Sequence, residues 1–259
     1  DKEQISLYNT IEEIKPGTKL IIPNSVKSIG GESFCRCKNL TSVIIPNSVK
    51  KMGDSPFRGC TSLTNIALPN CFFKNKYRNP FDGCKNLRSI TIPSGVKKIR
   101  NYTFSCCTGL TNITIPDSVE KIEDGAFSSC NGLTKIKVGR SVKHIERNAF
   151  YGCYRLAEVQ NNSSLDIVAG SEKHGEIGYY AKHIYKNDND SRLQVEGDYI
   201  VFQNGAEMHL LSYTGLEREI IIPDYITHIG DYAFRDNDTL LKVTIPDSVI
   251  SIGKEAFYG

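Results

Sequence analysis

Six of the nine cysteines fall three residues after a phenylalanine, at Cys37, Cys60, Cys84, Cys107, Cys130 and Cys153. Thiols at a regular spacing could ligate a metal, form disulfides or act as nucleophiles. Zinc sites use C-x-x-C pairs completed by histidine or further cysteine, and neither Cys35-Arg36-Cys37 nor Cys106-Cys107 has that spacing. Neighbouring rungs of a regular stack come close enough for a disulfide by Cα distance, but parallel Cβ directions spoil the geometry and the total is odd. The six therefore read as reduced, buried small side chains. Titration of the denatured, unreduced protein checks this, with fewer than about six free thiols as the contrary result. Cys35, Cys71 and Cys106 lie off the ladder and receive no role.

Other candidate chemistry is sparse. The five histidines do not cluster in sequence, and His144 and His228, before Ile145 and Ile229, read as equivalent exposed positions. There is no G-x-S-x-G elbow, H-E-x-x-H pair or phosphate-binding glycine loop. Asp188-Asn189-Asp190-Ser191 begins like a calcium loop but lacks the glycine and glutamate that complete one. Asn101-Tyr102-Thr103 and Asn112-Ile113-Thr114 match glycosylation acceptors, which matters only in a eukaryotic secretory pathway. No catalytic residue, metal site or cofactor is expected, and the chain reads as a non-enzyme.

The elements that carry these residues repeat. Prolines at 23, 46, 69, 93 and 116, glycine at 139, and prolines at 223 and 246 keep a beat of 23 residues, broken once by 24 and once by 84. Phe34, Phe57, Phe81, Phe104, Phe127, Phe150, Phe234 and Phe257 keep the same beat. Each unit has three sides. L-x-x-V/I-x-I/L-P alternates like a half-buried strand ended by proline, with Val43 and Ile45 inward and Ser42 and Ile44 outward. V-x-x-I follows, with a corner glycine in several units. The third side, such as Gly125-Ala126-Phe127-Ser128-Ser129-Cys130, reads as a short helical or 3₁₀ turn. No single unit can bury enough apolar surface alone, so the units stack into a mainly β solenoid with a parallel concave sheet.

In that order the motifs resemble the BspA-type (Treponema pallidum-type) leucine-rich repeat of bacterial surface proteins, over roughly residues 17–156 and 217–259. The resemblance implies surface attachment and adhesion. The third repeat departs from it, with Cys71-Phe72-Phe73-Lys74-Asn75-Lys76-Tyr77 in place of V-x-x-I-G and one extra residue, so a bulged, aromatic edge is expected there.

The expected layout is one elongated domain: repeats over 1–156, an insertion over 157–216, and repeats over 217–259. In the insertion Ile177, Tyr180, Ala181 and Ile184 have helical spacing, predicting a short amphipathic helix near 175–185. Tyr199–Phe202 and Glu207–Tyr213 read as a hairpin about Asn204-Gly205. This helix-plus-hairpin block is either a structural splice or a binding module.

Two surfaces could bind a partner. The outward strand positions include Ser42, Ile44, Asn65, Ser89, Thr91, Asn112, Thr114, Lys135 and Lys137, a flat polar face suited to protein or glycan rather than catalysis. A stripe of Lys27, Lys50, Lys51, Lys74, Lys97, Lys98, Lys121 and Lys143 either keeps a β face soluble or forms a track for anionic glycans. A net charge of +3 across 259 residues, and few aromatics along the stripe, argue against nucleic acid. No apolar run approaches the roughly 20 residues needed to cross a bilayer. The chain opens on Asp1-Lys2-Glu3-Gln4 without a signal sequence, and both ends read as cuts in a longer protein. The expectation is an extracellular or cell-surface interaction protein binding host proteins or glycans. Its alternatives are a spacer without a ligand and, less favoured, an enzyme within the insertion.

Overall fold

The computed structural model describes residues 4–5, 15–69, 72, 79–235 and 237–259. The chain divides into two compact units, Asp1–Lys186 and Asn187–Gly259, and each has its own apolar core.

The first unit is a stack of coils. On one side Thr18–Ile21, Leu40–Ile44 and Asn65–Ala67 pair in parallel. Further along, Asn112–Thr114, Lys135–Val138, Glu158–Asn161 and His183–Tyr185 do the same. The alternation works as the pattern requires: Val43 and Ile45 are buried, while Ile44 is 48% exposed. Proline ends each strand by turning the chain, its carbonyl accepting the N–H three residues on, as in Val49 N–H to Pro46 O (3.1 Å) and Val119 N–H to Pro116 O (3.0 Å). The V-x-x-I segments build a second, narrower ladder, with Ser28–Ile29 beside Lys51–Met52, and Lys98–Ile99, Lys121–Ile122 and His144–Ile145 in a row.

The third side consists of hydrogen-bonded turns rather than helix. Two positions per coil take left-handed backbone, two residues before and two after the phenylalanine. Tyr102 (φ 53°) and Cys106 (φ 56°) flank Phe104 in this way, and Asn148 (φ 55°) and Gly152 (φ 74°) flank Phe150. Such residues break any continuous helix. Between them the phenylalanine rings are fully buried and stack nearly parallel, with centroids 5.1–5.9 Å apart from Phe34 to Phe150.

The coil that runs one residue long perturbs this stack. The two widest ring spacings, 5.9 and 5.7 Å, flank Phe81, and no strand forms over 88–92 although Ile90 and Ile92 remain buried. Phe72 sits where other coils have valine, its N–H bonded to Pro69 O and its ring 5.3 Å from that of Phe81. The rest of the expected bulge, with Cys71 and Lys74, lies outside the described residues.

The expected helix-plus-hairpin insertion is not what forms. His174, Gly175 and Glu176 all have positive φ, so the chain makes a single distorted 3₁₀ turn over His174–Glu176 and hydrogen-bonded turns after it in place of an amphipathic helix over 175–185. Ile177 and Ala181 instead line the core of one more coil, which hands Ile184 to the strand His183–Tyr185 beside Glu158–Asn161. The apolar spacing was satisfied by a turn followed by a strand.

The second unit opens with three antiparallel strands, Leu193–Glu196, Tyr199–Asn204 and Glu207–Tyr213. Gly205 (φ 63°) and Ala206 form the loop between the last two, one position later than the expected Asn204-Gly205 pair. The strand Glu207–Tyr213 then turns its other edge to His228–Ile229 in parallel register, and that pair continues to Ser251–Ile252. Glu219–Ile221 and Lys242–Thr244 form the other parallel ladder.

Candidate binding surfaces

The outward face of the first unit is ordered by strand register. Lys19, Ser42 and Asn65 stand in one row and Ile21, Ile44 and Ala67 in the next. Ser89 and Thr91 lie on the segment without a strand. Beyond it Asn112, Lys135, Glu158 and His183 form a row, and Thr114, Lys137, Gln160 and Tyr185 its neighbour. The last two members of each row were missed in the sequence: Glu158 and Gln160 keep the 23-residue beat, but their strand runs into Asn161-Asn162 where others end in Ile-Pro, and His183 and Tyr185 follow 25 residues later.

Those missed residues surround Lys135. The Glu158 side chain is fully buried, 3.6 Å from the Lys135 ammonium and 3.2 Å from the Tyr185 hydroxyl, which donates to it. The ring of His183 stacks on that of Tyr185 at 4.9 Å. Burial works against the charged lysine, but Tyr185 and Glu158 outweigh it and hold Lys135 above its usual range. Lys135 therefore stays an ammonium near neutral pH and acts as a fixed cation and donor rather than a general base.

The lysines form two rows, not one. Backbone bonds place Lys27 beside Lys50 in one, and Lys97, Glu120 and Lys143 in sequence further along it. Lys98, Lys121 and His144 face one another in the second row, and Lys51 opposes Ser28. Acidic residues interleave toward the C-terminal end: Lys97 pairs with Glu120 at 3.0 Å and Lys121 with Glu146. The Lys97 ammonium depresses the Glu120 carboxyl, and Lys121 does the same to Glu146. At the other end Lys27 and Lys50 bond to the carbonyls of Asn24 and Asn47.

The thiol ladder explains itself. Each sulfhydryl reaches back to the phenylalanine carbonyl of the preceding coil: Cys60 to Phe34 (2.9 Å), Cys84 to Phe57 (3.1 Å), Cys107 to Phe81 (3.2 Å), Cys130 to Phe104 (3.0 Å) and Cys153 to Phe127 (3.2 Å). The same carbonyl also accepts the backbone N–H of the cysteine in its own coil, as Phe81 O does from Cys84, so both lone pairs are used. All eight described cysteines are free thiols. Burial pushes the Cys84 and Cys153 thiols up to about 12, which keeps the proton on the sulfur and the donor in place. In the second unit Asn237 takes the slot and accepts from Thr239 and Leu240.

A third cluster has no counterpart in the sequence reading. Glu207 and His209 share one face of a strand, and His209 opposes His228 on the next. Their ligating atoms all lie within 4.8 Å of one another. The signal was present in Met208-His209-Leu210 and Thr227-His228-Ile229, but seeing it requires knowing that an out-of-period strand pairs with a repeat strand. Among the described residues no helix is long and apolar enough to cross a membrane.

Two ladders of short parallel strands, joined by turns around a phenylalanine–cysteine column, define a β-rich leucine-rich-repeat solenoid. A model of the BspA type leucine rich repeat region matches six copies over residues 10–79, 74–171 and 209–259, and the chain belongs to that family. No curated protein matches the sequence. Among solved structures it is similar to a leucine-rich repeat protein from Bacteroides ovatus, with 23% identity, a TM-score of 0.50, and coverage of 92% of this chain and 72% of that one. It also matches a leucine rich cell surface protein from Faecalibacterium prausnitzii at 25% identity, covering 93% and 67% with a TM-score of 0.43. A leucine-rich repeat protein from T. pallidum matches at 21% identity, covering 92% and 73% with a TM-score of 0.35.

Proposed function

We propose that this chain is a binding region of a cell-surface or secreted protein, and that its partner, an extracellular protein or glycan, docks on the outward face of the first unit. The observation that carries this reading is the accessible part of the two rows, Asn112, Thr114, Lys135, Lys137 and His183, which stand in strand register while the buried Glu158 and Tyr185 hold Lys135 and His183 in place. Such a mixture of ammonium, amide, hydroxyl and imidazole groups offers directional hydrogen bonds to a partner. Membership of the family and the cell-surface description of the F. prausnitzii protein support the location. The test is a screen of matrix proteins and glycans against the intact chain and against Lys137→Glu and His183→Ala, with circular dichroism confirming the fold. Selective loss of a ligand in both variants supports the reading. Absence of any ligand favours the spacer, and unchanged binding moves the site elsewhere.

A narrower second reading concerns sulfated or sialylated glycans. Interleaved Glu120 and Glu146 offset Lys97 and Lys121, whereas Lys27, Lys50 and Lys51 have no acidic partner among the described residues. Salt-sensitive heparin binding lost in Lys50→Glu/Lys51→Glu but kept in Lys97→Glu/Lys98→Glu would place the anion patch at the N-terminal end of the rows.

A further inference from the structure

The geometry points to a binding site for one divalent transition-metal ion, zinc being the best chemical match, formed by Glu207, His209 and His228 on the second unit. Residues two apart on a strand project from the same face, which brings Glu207 and His209 together, with Nε2 and Oε2 3.0 Å apart. Register then sets His228 opposite His209 across the parallel pair, the rings stacked at 4.3 Å and 18°. Two imidazoles and one carboxylate are a donor set for zinc and its neighbours. Calcium and magnesium want six or more oxygens, and a single carboxylate does not supply them. With metal–ligand bonds of about 2.0–2.2 Å, tetrahedral ligand atoms sit roughly 3.3 Å apart; the ligand atoms are already within 4.8 Å of one another, and one imidazole turning out of the stack lets both ring nitrogens point at the same ion.

The surroundings orient the ligands. The Thr227 hydroxyl donates to Met208 O (3.2 Å) and accepts from Met208 N–H (2.8 Å), and its oxygen lies 2.8 Å from His228 Nδ1. With the hydroxyl proton on the carbonyl, its oxygen accepts from Nδ1–H, which leaves the Nε2 lone pair for the metal. The Asn204 amide donates to Glu207 Oε2 at 3.1 Å and fixes the carboxylate in the same manner. Partners of this kind set ligand orientation in zinc sites. Glu207 is exposed and both imidazoles are half-buried, so an ion can enter directly. Three protein ligands leave the fourth position to water or to a donor from a bound partner.

The experiment is a zinc titration of the intact chain followed by imidazole nuclear magnetic resonance, which resolves all five histidines and separates this site from the thiols. The expected result is that His209 and His228 shift and saturate together at one equivalent while His144, His174 and His183 do not move, with magnesium and calcium inert. His228→Gln abolishes the response, Glu207→Gln weakens it while leaving the circular dichroism unchanged, and Asn204→Ala weakens it about tenfold. Equal shifts of all five histidines, zinc taken up with both imidazoles unmoved, or affinity retained in His228→Gln would each overturn the site.

Discussion

In the first unit cysteine fills the slot three residues after the phenylalanines of the column and reaches the phenylalanine carbonyl of the preceding coil. Serine is close in size, but its shorter C–O bond leaves a hydroxyl at Cys107 out of range of Phe81 O, now 3.2 Å from the sulfur. A buried hydroxyl without a partner costs about 1–3 kcal/mol. Cys107→Ala loses the hydrogen bond and a little volume, about 1–2 kcal/mol, and leaves no orphan donor. Cys107→Ser is therefore expected to be the less stable variant in urea unfolding, and the reverse order would show that the bond is not what selects cysteine. Native alkylation read by mass spectrometry should label the half-buried Cys35 and Cys106 and spare the six ladder thiols, because the ladder is buried and burial raises its thiols.

At the scale of the element, the turns impose a backbone that their residues do not all prefer. Ser129 (φ 59°) and Cys106 (φ 56°) occupy the left-handed position that Gly59, Gly83 and Gly152 hold in other coils. Left-handed backbone costs a residue with a Cβ about 1–2 kcal/mol, and glycine's extra unfolded freedom returns about 0.5–1 kcal/mol. Ser129→Gly should thus raise the melting temperature slightly, by a net of up to about 1 kcal/mol. Phe72→Val makes the opposite point. Valine fills that slot elsewhere, yet here the ring packs on Phe81 in the lengthened coil, and its loss should cost about 1–3 kcal/mol by chemical denaturation. The repeat was legible because every coil meets the same surroundings, so each environment leaves its own column of residues. Glu158 and Tyr185 were not: the strand of Glu158 keeps the spacing but loses the closing Ile-Pro to Asn161-Asn162, and the strand of Tyr185 comes 25 residues later, outside the period. Half of the candidate face, Asn112 through Lys137, was legible for the same reason that the other half was hidden.

At the scale of the whole molecule, charge is arranged in cross-coil pairs whose sign of pH dependence is shared. Glu120 is held below its usual range by Lys97 and Glu146 by Lys121, and in the second unit a local hydrogen bond from the Tyr213 hydroxyl lowers Glu217 in the same sense. A depressed carboxyl stabilises the folded state above its unfolded value, near pH 4.3, and that contribution fades as pH falls through the lower folded value. Glu176, raised by burial, acts in the other direction. The melting temperature is therefore expected to be flat above about pH 5 and to fall on further acidification. Because these pairs are largely exposed, the fall should shrink in high salt, and a melting temperature that rises on acidification would contradict this arrangement.

The thiol bonds all run one way. Cys60, Cys84, Cys107, Cys130 and Cys153 each donate to the coil before them, and the hydroxyls of Thr41, Thr64 and Thr134 likewise reach back to the carbonyls of Thr18, Thr41 and Thr111. A coil leaving the ribosome thus finds the acceptors of these thiols and hydroxyls already in place on the coil made just before it, while backbone donors such as Phe34 N–H and Phe104 N–H wait for the carbonyls of the next coil. Domains are formed N-terminal part first at about 5–20 residues per second, so one turn of the stack is completed every second or few. The thiol and threonine columns therefore point toward the coil made first, while the charged side chains of Lys97 and Arg100 reach forward to Glu120 and Glu123 on the coil made next.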